Sequence, residues 1–165
     1  MLKEDARSIV QMLADHELAL KELYQTYATA LPSLKDLWLK LAEDEQCHAD
    51  WLDSLGSGAG GANGPGPGGW PHPAAIENSL KYIRGQIVRA RQGQVTRLIA
   101  LSVAKDLESA LLENAFFKVA EGASPEVRAV LARLVTGTEK HWQTVTDALN
   151  AAKRTPADAE RTRHA

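Results

Sequence analysis

The chain has 165 residues, 24% charged and 44% hydrophobic, with a formal net charge of -2, ordinary proportions for a soluble globular protein. That balance gives no electrostatic basis for binding nucleic acid or an anionic membrane, and no apolar run approaches the roughly 18 residues of a membrane span. Its single cysteine, Cys47, excludes an internal disulfide and a cysteine cluster for a zinc ribbon or iron–sulfur centre.

The length indicates one domain able to bury a real core, here expected over residues 1–152. The start, MLKEDARSIVQML, carries charges where a signal peptide needs an apolar stretch, which predicts a cytoplasmic protein. A first helix is predicted over Leu2–Ala30, with Ile9, Leu13, Leu20 and Tyr24 on its inner stripe. It ends where Leu31 precedes Pro32, because a residue before proline is pushed out of helical geometry. Ser33 is the expected N-cap of the second helix, Leu34–Leu55, with Asp36 as its capping-box partner. So short a turn predicts an antiparallel pair.

Residues 56–73, GSGAGGANGPGPGGWPHP, are too rich in Gly and Pro for regular structure and predict a flexible loop. A crossover helix follows over 74–92, with Ile76, Leu80, Ile83 and Ile87 at steps of four, three and four. The next helix is predicted over Gln94–Ala120; it is apolar on most sides and expected to be central. EGASPEV then breaks the pattern, with Gly122 suited to a C-cap, Ser124 to an N-cap and Pro125 to the first helical position. A last long helix runs from Pro125 to Ala152, and the polar tail 153–165 is expected to be disordered. Four long helices thus form two hairpins. The helix in the link between them spans about 27 Å, enough to travel the length of a bundle. The predicted fold is all-α: a ferritin-like four-helix bundle with one long crossover containing an extra helix.

Each long helix carries a polar interruption in its apolar stripe. Glu17 lies between Leu13 and Leu20; Glu45 and His48 lie between Leu41 and Leu52; Glu108 lies among Leu101, Ala104 and Leu111; His141 lies among Leu134, Thr138 and Val145. The second and fourth helices share a frame, Leu–Glu–His–Leu against Leu–Thr–His–Val, and the separation from Glu17 to His48 nearly equals that from Glu108 to His141. Unpaired buried carboxylates are costly and take up protons. Several converging at mid-bundle are explained by a cation among them, and carboxylate plus imidazole suits iron or manganese better than zinc. The plainer alternative is a set of buried Glu and His residues satisfied by hydrogen bonds to one another.

The stretches HELALKELY, DEQCHADWL, AKDLESALLENAFF and GTEKHW resemble the rubrerythrin branch of the ferritin-like superfamily, over most of residues 5–150. The resemblance implies a carboxylate-bridged di-iron centre that reduces peroxide or dioxygen with electrons from an external donor. It nominates Glu17, Glu45, His48, Glu108 and His141 as metal ligands for two irons, with one iron, or manganese, as the alternative occupancy. A homodimer is compatible with it. Three positions depart from the family pattern. Thr138 replaces a carboxylate, Leu111 stands one turn after Glu108 where a further glutamate is usual, and one cysteine cannot build the rubredoxin-like site of rubrerythrins proper. An iron-binding or ferroxidase role and a metal-free helical scaffold are the other functions considered.

Tyr24, two turns from Glu17, is the catalytic candidate, able to hydrogen-bond a ligand or pass an electron, while Tyr27, Trp38 and Trp142 are expected in the core or at its edge. Glu113 is an alternative to Glu108. His16, His72 and His164 are expected at the surface, Cys47 on an inert flank, and Lys81, Arg84, Arg89 and Arg91 on a solvated face.

Overall fold

A computed structural model of the chain describes the backbone of residues 2–57, 71–113 and 123–154, and side chains over 9–55, 71–113 and 123–154. Among the described residues the fold is all-helical. Helix α1 spans Leu2–Ala30, a 3-10 turn Pro32–Leu34, α2 Lys35–Ser57, α3 Pro73–Arg91, α4 Arg97–Glu113 and α5 Pro125–Lys153. None of these helices is long and apolar enough to cross a membrane.

Local chemistry sets the helix ends. Pro32 diverts the chain into the 3-10 turn, so Ser33 lies within that turn instead of capping α2 as its sequence position suggested. The α3 N-cap is His72, whose ring accepts from the Ala74 N–H at 3.3 Å. At its other end Gly93 takes φ of 71°. There the Gln94 N–H bonds the Arg89 carbonyl at 2.9 Å and the Gly93 N–H the Ala90 carbonyl at 3.1 Å, a Schellman closure that needs the left-handed residue. Helix α4 begins three residues later than predicted because Thr96 caps it, its hydroxyl accepting from the Ile99 N–H at 3.2 Å. Ser124 and Pro125 start α5 as expected, the serine hydroxyl accepting from the Val127 N–H at 3.3 Å. Most of the Gly/Pro-rich loop, the predicted end of the Gln94–Ala120 helix, the Gly122 cap and nearly all of the tail lie outside the described residues.

Helix α1 packs along α2, α4 along α5, and α2 meets α5. Glu17 pairs with His48, Lys21 with Gln46, and Tyr24 and Tyr27 with Trp38, so α1 and α2 run antiparallel. Helix α3 lies on the opposite side of α1, burying Ile76, Leu80, Ile83, Ile87 and Ala90. Its contacts pair His16 with Ser79 and Glu22 with Arg91, giving it the same direction as α1. The core is richest where Trp38, Tyr24 and Tyr27 are fully buried together. Each aromatic removes about 200 Å² from water, worth up to about 5 kcal/mol. Helix α4 is less enclosed than its composition suggested, since Leu98 and Ile99 at its start are exposed.

The surface placement expected for His16 is also overturned. His16 is fully buried, its Nε2 2.7 Å from the Ser79 hydroxyl. The reason is that α1 is covered on two sides, by α2 and by α3, so a residue just off the bundle stripe is still inside.

Candidate metal centre

Glu17, Glu45, His48, Glu108 and His141 are all buried. They form one connected cluster drawn from α1, α2, α4 and α5. Glu45 and His48 are three residues apart, which puts both on one face of α2. From there Glu45 Oε2 reaches His48 Nδ1 at 2.8 Å, and Glu45 Oε1 reaches His141 Nδ1 at 3.1 Å. Glu17 Oε2 approaches His48 Nδ1 from α1 at 3.3 Å, and Glu108 Oε1 approaches His141 Nδ1 from α4 at 3.6 Å. The two imidazoles lie face to face, centroids 5.1 Å apart and 29° from parallel. Glu45 is the middle of this arrangement, one oxygen to each ring.

Tyr24 closes one end. Its hydroxyl donates to Glu108 Oε1 at 2.6 Å, and its ring stacks on Trp38 at 5.7 Å between centroids. The tyrosine therefore touches the cluster through Glu108. Thr138 is buried on the same face of α5 as His141, whereas Glu113 and Glu139 are exposed and cannot stand in for a ligand.

Asp44 was missed in the sequence. Its Oδ2 lies 3.3 Å from His141 Nε2, and its Oδ1 accepts from Lys40 Nζ at 2.6 Å. An Nε2–H donated to Asp44 leaves the Nδ1 lone pair of a neutral imidazole facing Glu45, the usual way an outer carboxylate sets a ligand histidine's tautomer. The one clue was the Asp-Glu pair itself: Asp44 sits one step round the helix from Glu45, towards α5.

The electrostatics are those of too many charges in too little water. Burial, then the charges of Glu17 and Glu108, raise the Glu45 carboxyl to about 8. Burial also opposes charge on the histidines, but hydrogen bonds to the Glu17 and Glu45 carboxylates win at His48, raising it to about 10. The Glu45 and Glu108 carboxylates, 3.1 Å and 3.6 Å from its Nδ1, raise His141 to about 11. Burial pushes Glu17 up, yet the His16 and His48 rings, whose Nδ1 atoms lie 3.8 Å and 3.3 Å from its carboxyl oxygens, outweigh it and hold the carboxyl well below its usual range. Burial and the Glu108 and Glu45 charges raise Tyr24 well above 10, so it stays a hydrogen-bond donor.

These contacts do not satisfy the cluster. Glu17 Oε1, Glu45 Oε1, Glu108 Oε2 and His141 Nδ1 are buried with no hydrogen-bond partner. Leaving such atoms unmet costs about 1–3 kcal/mol each, more for a charged group. Glu45 Oε1 and His141 Nδ1 face one another at 3.1 Å without hydrogen-bond alignment. Two donors each about 2.1 Å from a shared ion, at near a right angle, are about that far apart. Ligand atoms of Glu45, His48 and His141 all lie within 4.8 Å of one another. This buried group could hold a metal ion. Comparison with family models, with curated proteins and with solved structures returns no match to this chain, so the functional reading rests on the geometry of the cluster.

Proposed function

We propose that this chain is a ferritin-like, rubrerythrin-type metalloprotein that binds two irons and reduces peroxide or dioxygen with electrons from an external donor. The observation that carries the reading is Glu45, whose two oxygens address imidazoles on two different helices, so that one buried carboxylate would be available to metal held by either histidine. The unpartnered oxygens of Glu17 and Glu108 flank it on either side. Four helices feed the cluster while α3 lies outside it against α1, which supports a four-helix bundle with a crossover. Hard carboxylate oxygens with imidazole nitrogens favour iron or manganese.

Glu17, Glu45, His48, Glu108 and His141 would hold the metal, which as a ferrous pair would provide the two electrons that, with two protons, take peroxide to two waters. Within the protein, Asp44 holds the His141 tautomer and Tyr24 holds Glu108 by its 2.6 Å hydrogen bond. Leu13, Leu20, Leu101 and Leu134, fully buried on the same stripes, keep bulk water out. Thr138 favours a second reading: a buried threonine, where a sixth protein ligand would complete the set, leaves three Glu and two His, a set also suited to one ion. Anaerobic ferrous loading followed by one equivalent of peroxide tests the activity. Stoichiometric peroxide loss with a new near-ultraviolet charge-transfer band supports it. Iron oxidation by dioxygen with no peroxide consumption points to a ferroxidase, and absence of any iron binding to a scaffold.

A further inference from the structure

Gly137 sits in the interior of α5, one turn before His141. A glycine there costs roughly 0.5–1 kcal/mol of helix stability against alanine. Gly85 and Gly93 show no such close approach, since a methyl group on either would meet open space. A Cβ on Gly137 would lie 2.9 Å from His48 Cε1 and 3.6 Å from Cδ2, with Nε2 closer than either. No real Cβ tolerates that approach.

The imidazole has nowhere to go. Its Nδ1 is held by Glu45 Oε2 at 2.8 Å and Glu17 Oε2 at 3.3 Å. Its ring stacks on His141 at 5.1 Å and meets Trp51 at a tilt at 5.3 Å, and Trp51 is covered in turn by the Arg133 guanidinium at 5.2 Å. We propose that Gly137 is the positioning residue for His48: the space of its missing side chain is where the imidazole edge lies, and that fit turns Nδ1 towards Glu17 and Glu45. The two histidines are thus oriented by different means, His141 by the Asp44 carboxylate and His48 by the bare backbone of α5. In its consequence for metal affinity, this inference rests on the metal-centre reading above; the contact itself does not.

The experiment compares wild type, Gly137→Ala, His48→Ala and the double variant, by urea midpoint in metal-free protein and by anaerobic ferrous titration. Helix propensity alone makes Gly137→Ala stabilising. The expected result is the opposite sign in the wild-type background, a lowered midpoint, and a raised midpoint once His48 is alanine. Ferrous affinity of Gly137→Ala should fall about 10-fold or more, the scale of losing a support of a metal ligand. A midpoint raised in both backgrounds, or wild-type ferrous affinity in Gly137→Ala, overturns the proposal. If Gly137→Ala alone does not fold, folding of the double variant supports the contact and its failure overturns it. Wild type that binds no ferrous ion defeats the metal reading, and the midpoints then still decide the contact.

Discussion

Glu45 Oε1 and His141 Nδ1 lie 3.1 Å apart, both buried and neither hydrogen-bonded. A carboxylate and an imidazole free to satisfy each other would align a proton between them. Here the contact lacks hydrogen-bond alignment, and the same carboxylate offers its second oxygen to His48 at 2.8 Å. The first prediction concerns that carboxylate. Glu45→Ala should abolish iron loading while leaving the far-ultraviolet helical signal intact, because Leu41, Ala49 and Leu52 still bury the stripe. Iron content equal to wild type in a folded Glu45→Ala protein contradicts the assignment.

Proton release gives a second check. With His48 raised to about 10 and His141 to about 11 by the buried carboxylates beside them, both imidazoles hold a second proton at pH 7 in metal-free protein. A metal must displace these protons. Loading at pH 7 in weak buffer should acidify the solution, and affinity should rise with pH through 8 and beyond. Metal-free stability should move the other way. A group whose pKa is raised on folding contributes stability below its unfolded value that is lost as pH rises through the folded one. That applies to Glu45 from 4.5 to about 8 and to the histidines from 6.5 to about 10 and 11. Glu17, lowered on folding, has the opposite sign and loses its share below 4.5. Urea midpoints from pH 5 to 10, with and without metal, should therefore diverge as pH rises; parallel curves contradict the coupling.

Tyr24→Phe removes the donor that Glu108 Oε1 accepts from at 2.6 Å. Glu108 is fully buried, so its carboxyl loses a hydrogen bond that water does not replace. The expected cost to the metal-free fold is about 1–3 kcal/mol, measured by chemical denaturation, with weaker iron binding in parallel. A neutral effect on both would mean that the hydrogen bond plays no part in holding Glu108.

Thr138→Glu places a carboxylate on the buried face of α5 beside His141. The introduced group should raise metal affinity in a ferrous titration, while burial of one more acid lowers metal-free stability at neutral pH. Unchanged affinity would place position 138 off the site.

Chelation completes the set. A ligand that binds only the folded state at 100 times its Kd stabilises by about 2.7 kcal/mol, or about 5–10 °C for a chain of this size. Stripping the metal should lower the calorimetric midpoint by that order.

Much of this was legible in the sequence because a helix repeats every 3.6 residues, so Glu17, Glu45, Glu108 and His141 declare their phase through the leucines around them. The Ser124–Pro125 start of α5 is equally local. What escaped depends on neighbours in space. His16 is buried because α3 packs against α1, a relation that no stretch of α1 encodes. Asp44 acts across the α2–α5 contact, and Gly137 reads along the chain only as a helix-weakening residue until His48 is seen against it. The turn at Pro32 and the Thr96 cap moved helix ends by a few residues, because several polar residues nearby could cap equally well and packing chooses among them.

The most direct test is the iron content of the protein after anaerobic ferrous loading and desalting. The di-iron reading predicts about two irons per chain, lost in Glu45→Ala. Protein that retains no iron, with the same thermal midpoint before and after loading, contradicts it.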